Sequence, residues 1–73
     1  MEKLPCEGDA CDAIAIFWDA DAEHFWIRNS SSRRVYVVLL TWPTVTEFRL
    51  DAGELRAVLA AQFELPVDAT FLP

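Results

Sequence analysis

The sequence predicts an all-β protein: a small antiparallel β-sandwich or partly open barrel of five to six strands. Three observations carry this reading. Apolar residues recur with period two through several short runs. Those runs are filled with β-branched and aromatic residues, which suit a pleated surface. Clusters of Asp, Asn, Ser, Gly and Pro separate them, as turns require. At 73 residues the chain allows one domain. It divides into an irregular acidic N-terminal segment, residues 1–12, and a single small β domain, residues 13–73.

In residues 1–12, Pro5, Gly8 and scattered carboxylates leave no periodic pattern. Ala13 to Trp18 is the first strand, with Ile14, Ile16 and Trp18 on one face and Ala13, Ala15 and Phe17 on the other. Asp19 to Ala22 reads as a turn, and Glu23 to Asn29 as the second strand, antiparallel to the first. There Phe25 and Ile27 oppose His24, Trp26 and Arg28. Asn29 to Ser32 is a polar turn into the central strand, which ends before Pro43. Both parities of that strand are apolar: Val35, Val37 and Leu39 against Tyr36, Val38, Leu40 and Trp42. Such a pattern predicts a strand covered on both sides. Val45 to Leu50 is the fourth strand, followed by the turn Asp51 to Glu54. Leu55 to Phe63 alternates as a strand but also fits a helical stripe, with Asp51 and Glu54 as a capping-box-like start. The strand is preferred. The alternative is an α+β fold, a four-stranded antiparallel sheet with one helix at about 51–63. Leu65 to Leu72 contains Pro66 and therefore suits an edge strand.

The composition is 53% hydrophobic with three Trp, a large apolar share for so short a chain. One small core does not hide it all, so self-association is expected. Residues 1–23 hold seven acids against one lysine, while the remainder is neutral, with five acids and five arginines. The overall charge of -6 excludes a phosphate-binding surface, and no nucleic acid is expected as a partner. Met1 to Pro5 lacks the features of a signal peptide, and the apolar run Val35 to Leu40 is too short to span a bilayer. The expectation is a cytoplasmic protein with no membrane contact. Cys6 and Cys11 are then expected to be free thiols, with a local disulfide forming if the protein meets an oxidant.

Catalytic chemistry finds little footing. Cys6, Cys11 and His24 fall short of a zinc site. Asp19 to Glu23 imitates the opening of a calcium loop, but His24 stands where glycine is needed and Ser30 where the bidentate Glu belongs. Ser30, Ser31 and Ser32 lack a nucleophile's surroundings. No catalytic residue, metal or cofactor is expected, and the chain is read as not an enzyme.

Two segments, Phe25 to Val37 and Phe48 to Val58, resemble small bacterial immunoglobulin-like β-sandwich modules. The first is similar to their strand, Asn/Ser turn, strand pattern. The second is similar to their turn with Leu, a small residue or Pro, Gly and Glu, although Ala52 replaces the usual proline. The resemblance implies a binding scaffold and no activity.

If strands one to four form a meander, Phe25, Ile27, Phe48 and Leu50 share one face, covered by residues 55–72. The opposite face then presents Trp26, Arg28, Tyr36, Val38, Leu40 and Trp42, aromatics and Arg in the manner of an interface hot spot. The function expected is a non-catalytic protein-interaction module that forms a homodimer, or binds another protein, through this aromatic face. The alternative is an acidic inhibitor or nucleic-acid mimic that meets a basic partner through residues 2–23.

Overall fold

The period-two runs fold into two stacked four-stranded sheets, an all-β sandwich as the alternation predicts. This computed structural model describes residues 2–41, 43–60 and 62–73. The strands are β1 (Glu2–Lys3), β2 (Cys6–Glu7), β3 (Ile14–Asp19), β4 (His24–Asn29), β5 (Val35–Thr41), β6 (Thr44–Leu50), β7 (Leu55–Leu59) and β8 (Glu64–Phe71). The first sheet has the order β1-β3-β4-β7 and the second β2-β8-β5-β6. The pairings are antiparallel except β2 with β8, which is parallel.

The expected hairpin is present: β3 and β4 pair from Ile14↔Asn29 to Asp19↔His24. The expected four-stranded meander is not. The chain changes sheet after β4, so that β4 pairs with β7 while β5 pairs with β6 and β8. Asn29 makes the change possible. It is fully buried at the sheet corner. Its Nδ2 donates to the carbonyls of Arg33 at 2.7 Å, Leu50 at 3.1 Å and Asp51 at 3.1 Å. Its Oδ1 accepts from Ser31 N at 3.0 Å and Ser31 Oγ at 2.7 Å. One side chain thus ties together backbone groups of two turns at the corner.

The acidic lead is not irregular. It runs along one side of the sandwich, giving β1 to the first sheet and β2 to the second, with buried Leu4 between them. Cys11–Ala13 then makes a single 3-10 turn into β3. Gly8 has φ +110, and a Cβ there would stand 2.2 Å from the Ala69 carbonyl oxygen. Only glycine permits that approach. Past it, Ala10 N donates to the Ala69 carbonyl at 3.1 Å, and Asp9 Oδ1 accepts from Phe71 N at 2.9 Å. Cys6 and Cys11 are joined in a disulfide, and the described residues hold no free cysteine. The expectation of free thiols is thereby corrected: β2 and the 3-10 turn bring the two Cα atoms to 5.7 Å, within bridging reach.

Residues 55–59 form a strand, so the preferred reading holds there and the helix does not form. The Asp51–Glu54 pair closes a turn, with Gly53 at φ +76, Glu54 Oε1 accepting from Asp51 N at 2.9 Å and Glu54 N donating to the Asp51 carbonyl at 3.0 Å. Asn29 N and its carbonyl then engage Glu54 and Gly53, aligning the following residues with β4.

The core lies between the sheets. Ile14, Ile16, Phe25 and Ile27 come from the first; Val35, Val37, Leu39, Leu50, Val67 and Ala69 come from the second. Phe25, Ile27 and Leu50 do meet around one interior, as expected, but from opposite sheets. At one end Trp18, Phe25 and Phe63 form a ring cluster, with centroids 5.0 Å apart for Trp18–Phe25, 4.9 Å for Trp18–Phe63 and 4.4 Å for Phe25–Phe63. On the side opposite the lead, Arg56 lies 5.0 Å above the Phe48 ring and pairs with Glu54 at 2.6 Å. Strand β5 is interior to its sheet, but only its Val35, Val37, Leu39 parity is covered; Tyr36 and Val38 are half-buried and Leu40 is exposed. The expectation of cover on both sides is corrected, because two sheets make one interior.

Candidate interaction face

The change of sheet after β4 separates the residues expected to form one binding face. Trp26 and Arg28 project from the outer face of the first sheet. Tyr36, Val38 and Leu40 project from the outer face of the second, on the far side of the core. Trp42, the remaining residue of that expected face, lies outside the described residues.

The two faces differ in chemistry. On the second sheet Tyr36 stands between Arg49 and Thr70, Val38 between Glu47 and Asp68, and Leu40 between Val45 and Glu64. The apolar row along β5 is flanked by charge at most registers. The Tyr36 phenol is held above its ordinary pKa, first by partial removal from water and then by neighbouring Glu47, with Arg49 opposing.

The first sheet's outer face is more uniformly apolar. Its register sets Phe17, Trp26 and Ala57 in one row across β3, β4 and β7. On one side lies the row Ala15, Arg28, Leu55; on the other lies Asp19, His24, Leu59. Phe17 and Trp26 are half-buried, Leu55 is 55% exposed and Leu59 is 69% exposed, the highest value among the described large hydrophobic residues. Asp19, His24 and Arg28 stand in the outer rows, and Lys3 of β1 continues the middle row beyond Phe17. His24 is oriented by Nδ1–H donating to the Ala22 carbonyl at 2.6 Å, and its ring stacks towards Trp26 at 6.2 Å between centroids.

Strand β7 gives this face its character. The sequence suggested that residues 55–72 cover the core. Val67 and Ala69 of β8 do, but β7 lies beside β4 and turns Leu55, Ala57 and Leu59 outward, while Arg56 and Val58 take the inward parity. The large apolar parity of an edge strand thus faces solvent, the reverse of what a lone subunit needs. Phe17, Leu55, Ala57 and Leu59 were missed as surface residues. The alternation at 55–59 was visible, but both parities carry apolar groups, and only the register with β4 decides which one is outward.

The acids of residues 2–23 are partly committed to the fold. Asp9 holds Phe71 N, and Asp19 Oδ1 accepts from Asp21 N at 3.2 Å and Ala22 N at 3.4 Å. Among the described residues no His, Cys, Asp and Glu side chains gather in a group that could hold a metal ion, and no helix is long and apolar enough to cross a membrane. Comparison with protein families, curated proteins and solved structures finds no match.

Proposed function

We propose that the chain is a non-catalytic protein-interaction module that self-associates through the outer face of its first sheet. The observation that carries this reading is β7, an edge strand whose Leu55 and Leu59 point into water beside the Phe17–Trp26 row. Fully burying a side chain of the leucine class contributes about 1.5–3 kcal/mol, so a contact covering both leucines and the indole has a substantial driving force. The small apolar centre with Arg28, His24 and Asp19 at its margins is the usual layout of a protein contact. A scaffold role also accords with the resemblance to immunoglobulin-like modules, which carries no chemistry.

The acidic-inhibitor reading is the weaker one, since Asp9 and Asp19 already serve backbone donors. As to compartment, the Cys6–Cys11 bond supports an oxidising one, where such bridges persist, over the cytoplasm. The test of function is light scattering on wild type, Trp26→Ala and Leu59→Gln. Weaker association in both variants, with unchanged melting, supports the face. Association undiminished in both removes it.

A further inference from the structure

We infer that a second copy of the chain joins this one edge to edge along β7, in antiparallel register about a two-fold axis at Ala57, so that the margin of the face formed by Leu55 and Leu59 packs against the copy's. The inference rests on the self-association proposed above and specifies its geometry.

The first ground is the backbone. Asn29 N donates to the Glu54 carbonyl at 2.9 Å, and Ala60 N donates to the Glu23 carbonyl at 3.1 Å. These bonds bracket β7. In an antiparallel ladder bonded pairs alternate with unbonded ones. Arg56 and Val58 therefore spend their N–H and C=O groups on β4, and those of Leu55, Ala57 and Leu59 point to the free edge. Pairing centred on Ala57 sets Ala57 against the copy's Ala57 and Leu55 against the copy's Leu59, so every outward group of the strand finds a partner.

The second ground is the side chains of the edge. Natural edges are blunted by charge or proline. The parity exposed on β6 includes Glu47 and Arg49, but the parity exposed on β7 is Leu55, Ala57, Leu59. The chosen register packs leucine on leucine around a small centre, with an indole on either side.

The third ground is charge. One end of β7 lies beside exposed Arg28 and the Arg56–Glu54 pair, with exposed Asp51 in the preceding turn; the other lies beside the acidic turn with exposed Asp21 and Glu23. Antiparallel docking sets the mixed, arginine-bearing end of each copy towards the acidic turn of the other. Parallel docking would set acidic turn against acidic turn. The acids of the lead sit along β1 and β2, at the opposite edge from β7, where they do not oppose the contact. An isologous pair of this kind closes on itself and leaves no further β7 edge to extend.

Amide hydrogen exchange on the wild-type protein at low and high concentration tests the inference, with sedimentation alongside. The N–H groups of Leu55, Ala57 and Leu59 are expected to slow at least tenfold as the protein associates, while those of Arg56 and Val58 are protected throughout. Ala57→Pro removes an edge N–H without touching the β4 ladder and is expected to weaken association at least tenfold. Arg28→Glu is expected to weaken it several-fold, and Arg49→Glu, on the other sheet, to leave it unchanged. Association with unchanged exchange at Leu55, Ala57 and Leu59 overturns the edge register but leaves the face reading standing. No association at any concentration overturns both. If Ala57→Pro does not fold, the wild-type exchange pattern decides.

Discussion

Replacing Asn29 by Ala should remove a large share of the protein's stability. The residue is fully buried, and its amide serves the carbonyls of Arg33, Leu50 and Asp51. Two of those carbonyls keep another donor in the variant: Arg33 has Ser31 Oγ at 3.0 Å, and Asp51 has Glu54 N at 3.0 Å. The Leu50 carbonyl, though buried, faces Val35 in the β5–β6 ladder and keeps that strand's donor. At roughly 0.5–1.5 kcal/mol for each of the three bonds the loss is about 3 kcal/mol. A chain of this length has roughly 4–11 kcal/mol of stability in all. For a domain of this size the loss lowers Tm by roughly 12–24 °C.

Thermal melts followed by circular dichroism measure it, with Ser31→Ala as the milder control. Asn29→Asp adds a pH signature. Its carboxylate would face carbonyl oxygens in a buried site, which raises the folded pKa above the unfolded value of about 3.9. The destabilisation is therefore complete above the folded pKa and vanishes below the unfolded one. Measured against wild type at each pH, the deficit should shrink as pH falls through the raised folded pKa towards about 4, and change no further below that. A Tm for Asn29→Ala within about 3 °C of wild type, under 1 kcal/mol on this scale, would show that the Asn29 bonds do not hold the sheet corner.

Three further outcomes follow from the same contacts. Gly8→Ala should lose about 2 kcal/mol or more in chemical denaturation, because its Cβ would meet the Ala69 carbonyl at 2.2 Å at a φ of +110; a neutral result would mean that the lead does not dock as described. Reducing the Cys6–Cys11 bridge, or replacing both cysteines with Ser, should cost about 2 kcal/mol, the chain-entropy term for so short a loop. The Glu54 carboxyl is held below its ordinary pKa, first by Asp51 N–H and then by Arg56. A depressed carboxylate contributes stability above its unfolded pKa and loses it as pH falls through the folded one. Wild type should therefore show a steeper acid-side decline than Glu54→Gln, as denaturant midpoints below neutral pH would reveal.

The sequence made individual strands readable and left their partners obscure. Alternation located β3 to β6 and set Ile14 with Ile16, Phe25 with Ile27, and Val35 with Val37 on one side of their strands; all six point inward, although for β5 both sides were expected to be covered. It could not say that β4 and β5 lie in different sheets, because an inward-facing parity looks the same in either. That distinction depends on the Asn29 side chain reaching Leu50, a contact between residues far apart in sequence. The two-residue strands β1 and β2 are too short to carry a period and are ordered by β3 and β8. Of the six residues expected to form one face, Trp26 and Arg28 remain together, beside Phe17, Leu55 and Leu59, while Tyr36, Val38 and Leu40 belong to a surface flanked by charge.

Sedimentation equilibrium of the wild-type chain over a wide concentration range, with the disulfide intact, addresses the contact face directly. The outward leucines of β7 predict a mass that rises with concentration and levels off at that of two chains. A single-chain mass sustained into the high micromolar range would mean that this face stays open to water, contradicting self-association.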